Sequence, residues 1–112
     1  MKKPEIVYDD FAKIDIRIGR ISAVEPFPRA RNPSYKVAVD VADLGTLWSS
    51  AQITSYQPEE LIGRQVACVV NFPPRNIAGF QSQILILGAR NEAGNVVILS
   101  PPAEAVVGNE VF

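Results

Sequence analysis

In Ile14-Asp15-Ile16-Arg17-Ile18-Gly19-Arg20-Ile21 the apolar side chains recur at almost every second position. A period of two places them on one side of an extended chain, which a helix cannot do. The segment is expected to be a half-buried strand, and continuation through Ser22-Ala23-Val24-Glu25 makes it a long, curved one. Gly19 is the expected point of a bend or bulge, of the kind that lets a small barrel close.

The rest of the chain repeats the theme in shorter pieces. Tyr35, Val37, Val39 and Val41 alternate with Lys36 and Asp40, Asp43-Leu44-Gly45 reads as a turn, and Thr46 to Ile53 as a third strand, making a hairpin. Pro58-Glu59-Glu60-Leu61-Ile62-Gly63 has proline early, acids at the positive end and glycine as a stop, which predicts a short helical turn. Arg64 to Asn71 is a fourth strand, Gln83 to Ala89 a fifth, and Val96 to Leu99 a last short one after a turn at Glu92-Ala93-Gly94-Asn95. Before them, Tyr8-Asp9-Asp10-Phe11 predicts a capped helical turn with Tyr8 and Phe11 on one side. A chain of 112 residues is one domain, spanning residues 1–112, and buries about 65% of its unfolded surface. The expected fold is all-β: a five-stranded OB-type Greek-key barrel with short helices and terminal extensions.

Composition removes most catalytic chemistry. There is no histidine, and Cys68 is the single cysteine, set in the apolar run Gln-Val-Ala-Cys-Val-Val. That leaves no histidine-assisted triad, no zinc site of the usual ligands and no internal disulfide. The carboxylates are scattered and the glycines stand singly, so neither a tuned acid pair nor a phosphate-cradling loop is expected. The chain reads as a binding module, with no enzymatic activity, cofactor or metal. No apolar run reaches the ~20 residues of a membrane span, and Met-Lys-Lys-Pro-Glu leads into Tyr8-Asp9-Asp10 rather than into a signal sequence. A cytoplasmic protein without membrane insertion is expected.

Residues 69–88 are the first candidate for a working surface. A buried strand runs into Asn71, breaks at Pro73-Pro74, displays Arg75, Asn76 and Ile77 in a loop, turns at Gly79 and resumes at Phe80. Such a loop either carries binding groups or merely connects two core strands. Ser49, Ser50, Gln52 and Thr54 add small polar groups that either bond a ligand or satisfy neighbouring amides. Pro26 to Pro33 is a stiff loop whose Arg29 and Arg31 make the densest basic patch.

Three ordered motifs are recognisable: Arg31-Asn32-Pro33-Ser34-Tyr35-Lys36-Val37, Ser49-Ser50-Ala51-Gln52-Ile53-Thr54, and Val70-Asn71-Phe72-Pro73-Pro74-Arg75-Asn76-Ile77-Ala78-Gly79-Phe80-Gln81-Ser82. Their order and spacing resemble the tRNA-binding-domain family over nearly the whole chain. The second and third motifs are most similar to the CsaA-like export-related chaperones of that family. The resemblance implies a homodimer that binds unfolded precursor polypeptides and assists the secretion translocase ATPase. The tRNA-binding members carry a basic loop where this chain has Pro73, Asn76 and Ala78, with Arg75 alone remaining. Each lost phosphate contact removes roughly one unit of salt-dependent slope, and a net charge of -1 supplies no background attraction for a polyanion.

Two functions follow. As an ATP-independent chaperone, the chain would use Phe72, Ile77 and Phe80 for apolar contact, Ser50, Gln52, Asn71 and Ser82 for the client backbone, and Arg75 beside them. As a tRNA-binding accessory module it would track phosphates with Arg29, Arg31, Lys36 and Arg75. In both, the apolar ends, Tyr8 and Phe11 on one side and Val106-Val107 with Val111-Phe112 on the other, predict a homodimer joined through the chain termini or ends that fold back over their own barrel.

Overall fold

The computed structural model describes every residue from Met1 to Phe112. Five antiparallel strands make the barrel: β1 (Ile16–Pro26), β2 (Tyr35–Asp40), β3 (Thr46–Ala51), β4 (Gln65–Val69) and, after a small hairpin, β7 (Leu85–Ile86), in the spatial order β3-β2-β1-β4-β7. That hairpin is β5 (Arg75–Ile77) with β6 (Phe80–Ser82), and β8 (Gly88–Arg90) pairs with β9 (Val96–Ile98) as a second one. Two short helices, α1 (Tyr8–Ala12) and α2 (Pro58–Leu61), complete the expected order, with α2 between the third and fourth strands.

The first strand serves two neighbours. Its first half, Ile16 to Arg20, pairs with β4, and its second half, Arg20 to Pro26, pairs with β2. The change of partner bends the sheet around the core. The bulge that accompanies it lies at Ser22, where the register jumps from Ile21↔Val39 to Ala23↔Ala38, and not at Gly19. Gly19 has a different task, because a Cβ there would collide with Val39 Cγ1 and sit 3.3 Å from the Asp40 carbonyl. It lets the strands approach rather than bend.

Inside lies one cluster that includes Ile21, Val37, Val39, Val41, Leu61, Val66, Cys68, Ile84, Ile86 and Ile98. Fully burying each large aliphatic group is worth about 1.5–3 kcal/mol, which is what the period-two pattern secures. Cys68 is part of this packing: its Sγ donates to the Arg17 carbonyl at 3.4 Å, and burial pushes the thiol up to about 11.

Several boundaries differ from expectation. Ile14 stays 41% exposed outside β1, β3 ends at Ala51, and β4 ends at Val69. The fifth strand is split at Leu87, whose N–H donates to Ala67 O while its carbonyl accepts from Leu99. The most consequential correction concerns Arg75, Asn76 and Ile77, expected in a loop and found paired with Ser82, Gln81 and Phe80.

The C-terminal segment folds back on its own barrel. Gly108 N–H donates to Ile18 O, Ile18 N–H to Asn109 O and Val111 N–H to Ile16 O, at 2.7, 3.0 and 2.8 Å. Residues 108–111 thus run antiparallel along the start of β1. Yet Tyr8, Val106 and Phe112 remain 72%, 59% and 95% exposed, so the apolar ends are not covered within one chain.

Candidate functional site: the groove under the β5–β6 hairpin

After β4 the chain must leave the sheet, because Pro73 and Pro74 have no N–H to donate. It returns through Ala78-Gly79, a two-residue turn with φ of 50° and 86°. The Asn76 Oδ1 accepts the Gly79 N–H at 2.9 Å and stabilises this turn. Left-handed backbone at an alanine costs of order 1 kcal/mol, a strain concentrated at the tip of the exposed hairpin.

The hairpin closes the barrel against β3 largely through side chains. Gln83 N–H donates to Trp48 O at 2.7 Å, the Gln83 Oε1 accepts Trp48 N–H at 2.8 Å, and Ser82 Oγ accepts Ser50 N–H at 3.0 Å. Beside this seam is a groove of about 540 Å³ lined by Ser50, Phe72, Pro73, Pro74, Arg75, Ile77, Ser82, Gln83, Ile84 and Leu85. Ser50, Arg75, Ile77 and Leu85 also wall an adjoining depression of about 530 Å³ that reaches Arg31 and Gln52. No carboxylate lines either, and the cations are Arg75 and Arg31. Phe72 is 52% exposed at the rim.

The structure therefore brings Ser50, Phe72, Arg75, Ile77 and Ser82 together, with Gln52 and Arg31 next door. It places the other candidates elsewhere. Asn71 is engaged within the chain: its Oδ1 accepts Asp15 N–H at 2.9 Å and its Nδ2 donates to Lys13 O at 2.8 Å, tying the α1–β1 connection to the end of β4. Phe80 stands edge-on to Phe27 and Trp48, at 5.4 and 6.1 Å between ring centres. The Lys36 Nζ lies 5.0 Å from the centre of the Phe27 ring and 5.2 Å from that of Phe80. These residues form a separate aromatic and cationic cluster, and Arg29 is exposed in the turn that follows Phe27.

Sequence reasoning missed Gln83 and Leu85 as groove residues. Both were absorbed into a core strand by the apolar run that follows, although the polar triplet Gln81-Ser82-Gln83 signalled an exposed approach to it. Nowhere does the chain group three potential metal ligands of the His, Cys, Asp and Glu types. No helix is long and apolar enough to cross a membrane.

Residues 16–110 match the family described as "Putative tRNA binding domain". The methionine–tRNA ligases of Porphyromonas gingivalis and Flavobacterium johnsoniae are 35% and 40% identical over 107 and 111 residues, which is 96% and 98% of this chain. The chain spans only 16% and 15% of those two ligases. Among solved structures, the chaperone CsaA of Bacillus anthracis superposes with a TM-score of 0.90 at 44% identity, covering 97% of this chain and 100% of that one. The CsaA chaperone of Picrophilus torridus gives 0.92 at 44% identity, covering 96% and 100%. A methionyl-tRNA-synthetase-related protein of Pyrococcus horikoshii gives 0.85 at 28% identity, covering 98% and 100%. The chain belongs to the tRNA-binding-domain family, within which it is a homologue of the CsaA chaperones.

Proposed function

We propose that this protein is an ATP-independent holding chaperone that binds unfolded precursor polypeptides in the groove under the β5–β6 hairpin. One observation carries the proposal: the groove combines the exposed ring of Phe72, both prolines, Ile77 and Leu85 with Ser50, Ser82 and Gln83, and has Arg75 as its single charge. Apolar walls take client side chains of varied shape, while hydroxyl and amide groups meet the client's unpaired backbone. Ser82 Oγ already accepts one bond but keeps its proton to donate. In this proposal the protein works in the cytoplasm as a homodimer and hands precursors to the secretion translocase ATPase. Its likeness to two CsaA chaperones at 44% identity supports the chaperone class.

A second reading, a tRNA-binding accessory module, draws on the exposed Arg29, Arg31 and Arg75 and on the similarity to methionine–tRNA ligases. Lys36, held between two aromatic rings, is the least free of its four candidate cations. Titrating a fluorescent unstructured peptide and a tRNA in rising salt separates the two. Peptide binding that persists while tRNA binding collapses supports the chaperone. Absence of peptide binding, with tRNA affinity falling by about one unit of salt slope per phosphate contact, overturns it.

A further inference from the structure

We propose that Arg20 and Arg64 form a phosphate-binding site in a concavity that shares no lining residue with the groove. Arg20 sits where β1 leaves β4, directly opposite Gln65, and Arg64 immediately precedes β4. Both are exposed, and neither has a carboxylate oxygen within 4.0 Å, the ion pairs of this chain being Lys13 with Asp10 and Arg17 with Asp15. Asp40, the last residue of β2, is the register partner of Arg20, but its Oδ1 is turned to the Ala42 N–H at 3.0 Å. Two guanidinium groups without an ion pair thus share one depression of about 270 Å³, walled by Gly63, Gln65, Ser100 and Pro101.

The arginines are braced, not loose. Arg20 Nη1 donates to Gly63 O at 3.3 Å, Arg64 Nη2 donates to Ser100 Oγ at 3.4 Å, and the Arg64 guanidinium carbon lies 6.0 Å from the centre of the Tyr56 ring. Each contact uses one donor and leaves the remaining N–H groups of the fork free, which is the arrangement that meets phosphate oxygens two at a time. Ser100 keeps its hydroxyl proton as a further donor. The wall offers no large aliphatic side chain, so an apolar ligand has nothing to contact there. The phosphate comes either from a free phosphate ester or from the backbone of a single-stranded RNA.

The test is an NMR titration of the full chain with inorganic phosphate, with a uridine oligonucleotide and with glutamate, following the amides of Gly63, Arg64, Gln65 and Ser100. Phosphate should shift them saturably, and Arg20→Gln or Arg64→Gln should weaken this about tenfold, the loss of one charge-assisted pair, without moving the thermal midpoint. If RNA is the source, the oligonucleotide shifts the same amides and each substitution lowers its salt slope by about 0.7. If a free ester is the source, phosphate binding responds to the substitutions while the oligonucleotide slope does not. The proposal is overturned if neither phosphate nor oligonucleotide shifts these amides, or if glutamate displaces phosphate at equal concentration.

Discussion

Ser82 Oγ accepts the backbone N–H of Ser50 at 3.0 Å, so a side chain occupies the place where a neighbouring strand would supply a carbonyl. The same substitution of side chain for backbone recurs at Trp48, whose N–H meets Gln83 Oε1 at 2.8 Å. Of the three hydrogen bonds that close the barrel at the groove, these two depend on groups that mutation can remove without touching the backbone, while the third, Gln83 N–H to Trp48 O, does not.

Ser82→Ala should therefore leave the Ser50 N–H unpaired and cost about 1–3 kcal/mol, measured by urea unfolding. Hydrogen exchange at Ser50 should accelerate more than at Val37, in the core. Equal acceleration at both sites would show a global rather than a local loosening.

Arg75→Ala should leave stability within about 0.5 kcal/mol of the parent, because the side chain is exposed and makes no hydrogen bond or ion pair within the chain. Peptide affinity, followed by fluorescence anisotropy, should fall. A large drop in the melting temperature would make Arg75 a structural residue and remove it from the binding surface.

Cys68 gives a pH dependence. Its thiol is raised by burial from an ordinary 9.0 to about 11, so the unfolded chain loses the proton first as pH rises. The contribution is fully present below pH 9 and is lost progressively between pH 9 and about 11. Cys68→Ala should flatten that segment of the stability curve, measured by urea midpoints across the range. In the folded parent at neutral pH, alkylation of Cys68 should track unfolding.

Tyr8 and Phe112 are both exposed, and in the proposed homodimer they would supply part of the two-fold contact. Sedimentation equilibrium should give a dimer for the parent and a weaker one for Tyr8→Ser with Phe112→Ser. These substitutions leave residues 108–111 in place, which truncation would not. A parent that sediments as a 12.2 kDa monomer at micromolar concentration removes the dimer and any avidity gained from two grooves.

The barrel was legible because its signal is periodic. Val37, Val39 and Val41 alternate in sequence and are all buried, and the glycine stop after α2 at Gly63 has a φ of 90°. The turn at Gly79 and the strand resuming at Phe80 were legible, but the pairing of Arg75-Asn76-Ile77 escaped because three residues have no alternation to display. Asn71 was read as a client contact because its amide can hydrogen-bond an extended backbone. Its partners, Lys13 and Asp15, lie more than fifty positions away, and no local rule points to them.

The C-terminal segment along β1 also bears on how the chain folds. Ile16 and Ile18 lie opposite Val69 and Ala67 of β4 and bond on their other edge to residues 108–111, so the strand that opens the barrel is completed by a segment that follows every other strand. Those pairings join positions about ninety apart in sequence, and bringing such distant partners together costs chain entropy before it yields contacts. A nascent barrel can hold β1 through β4 in place while its edge still waits for a partner. During that interval the chain presents an open strand of the kind that, on the function proposed for it, it would shield in others.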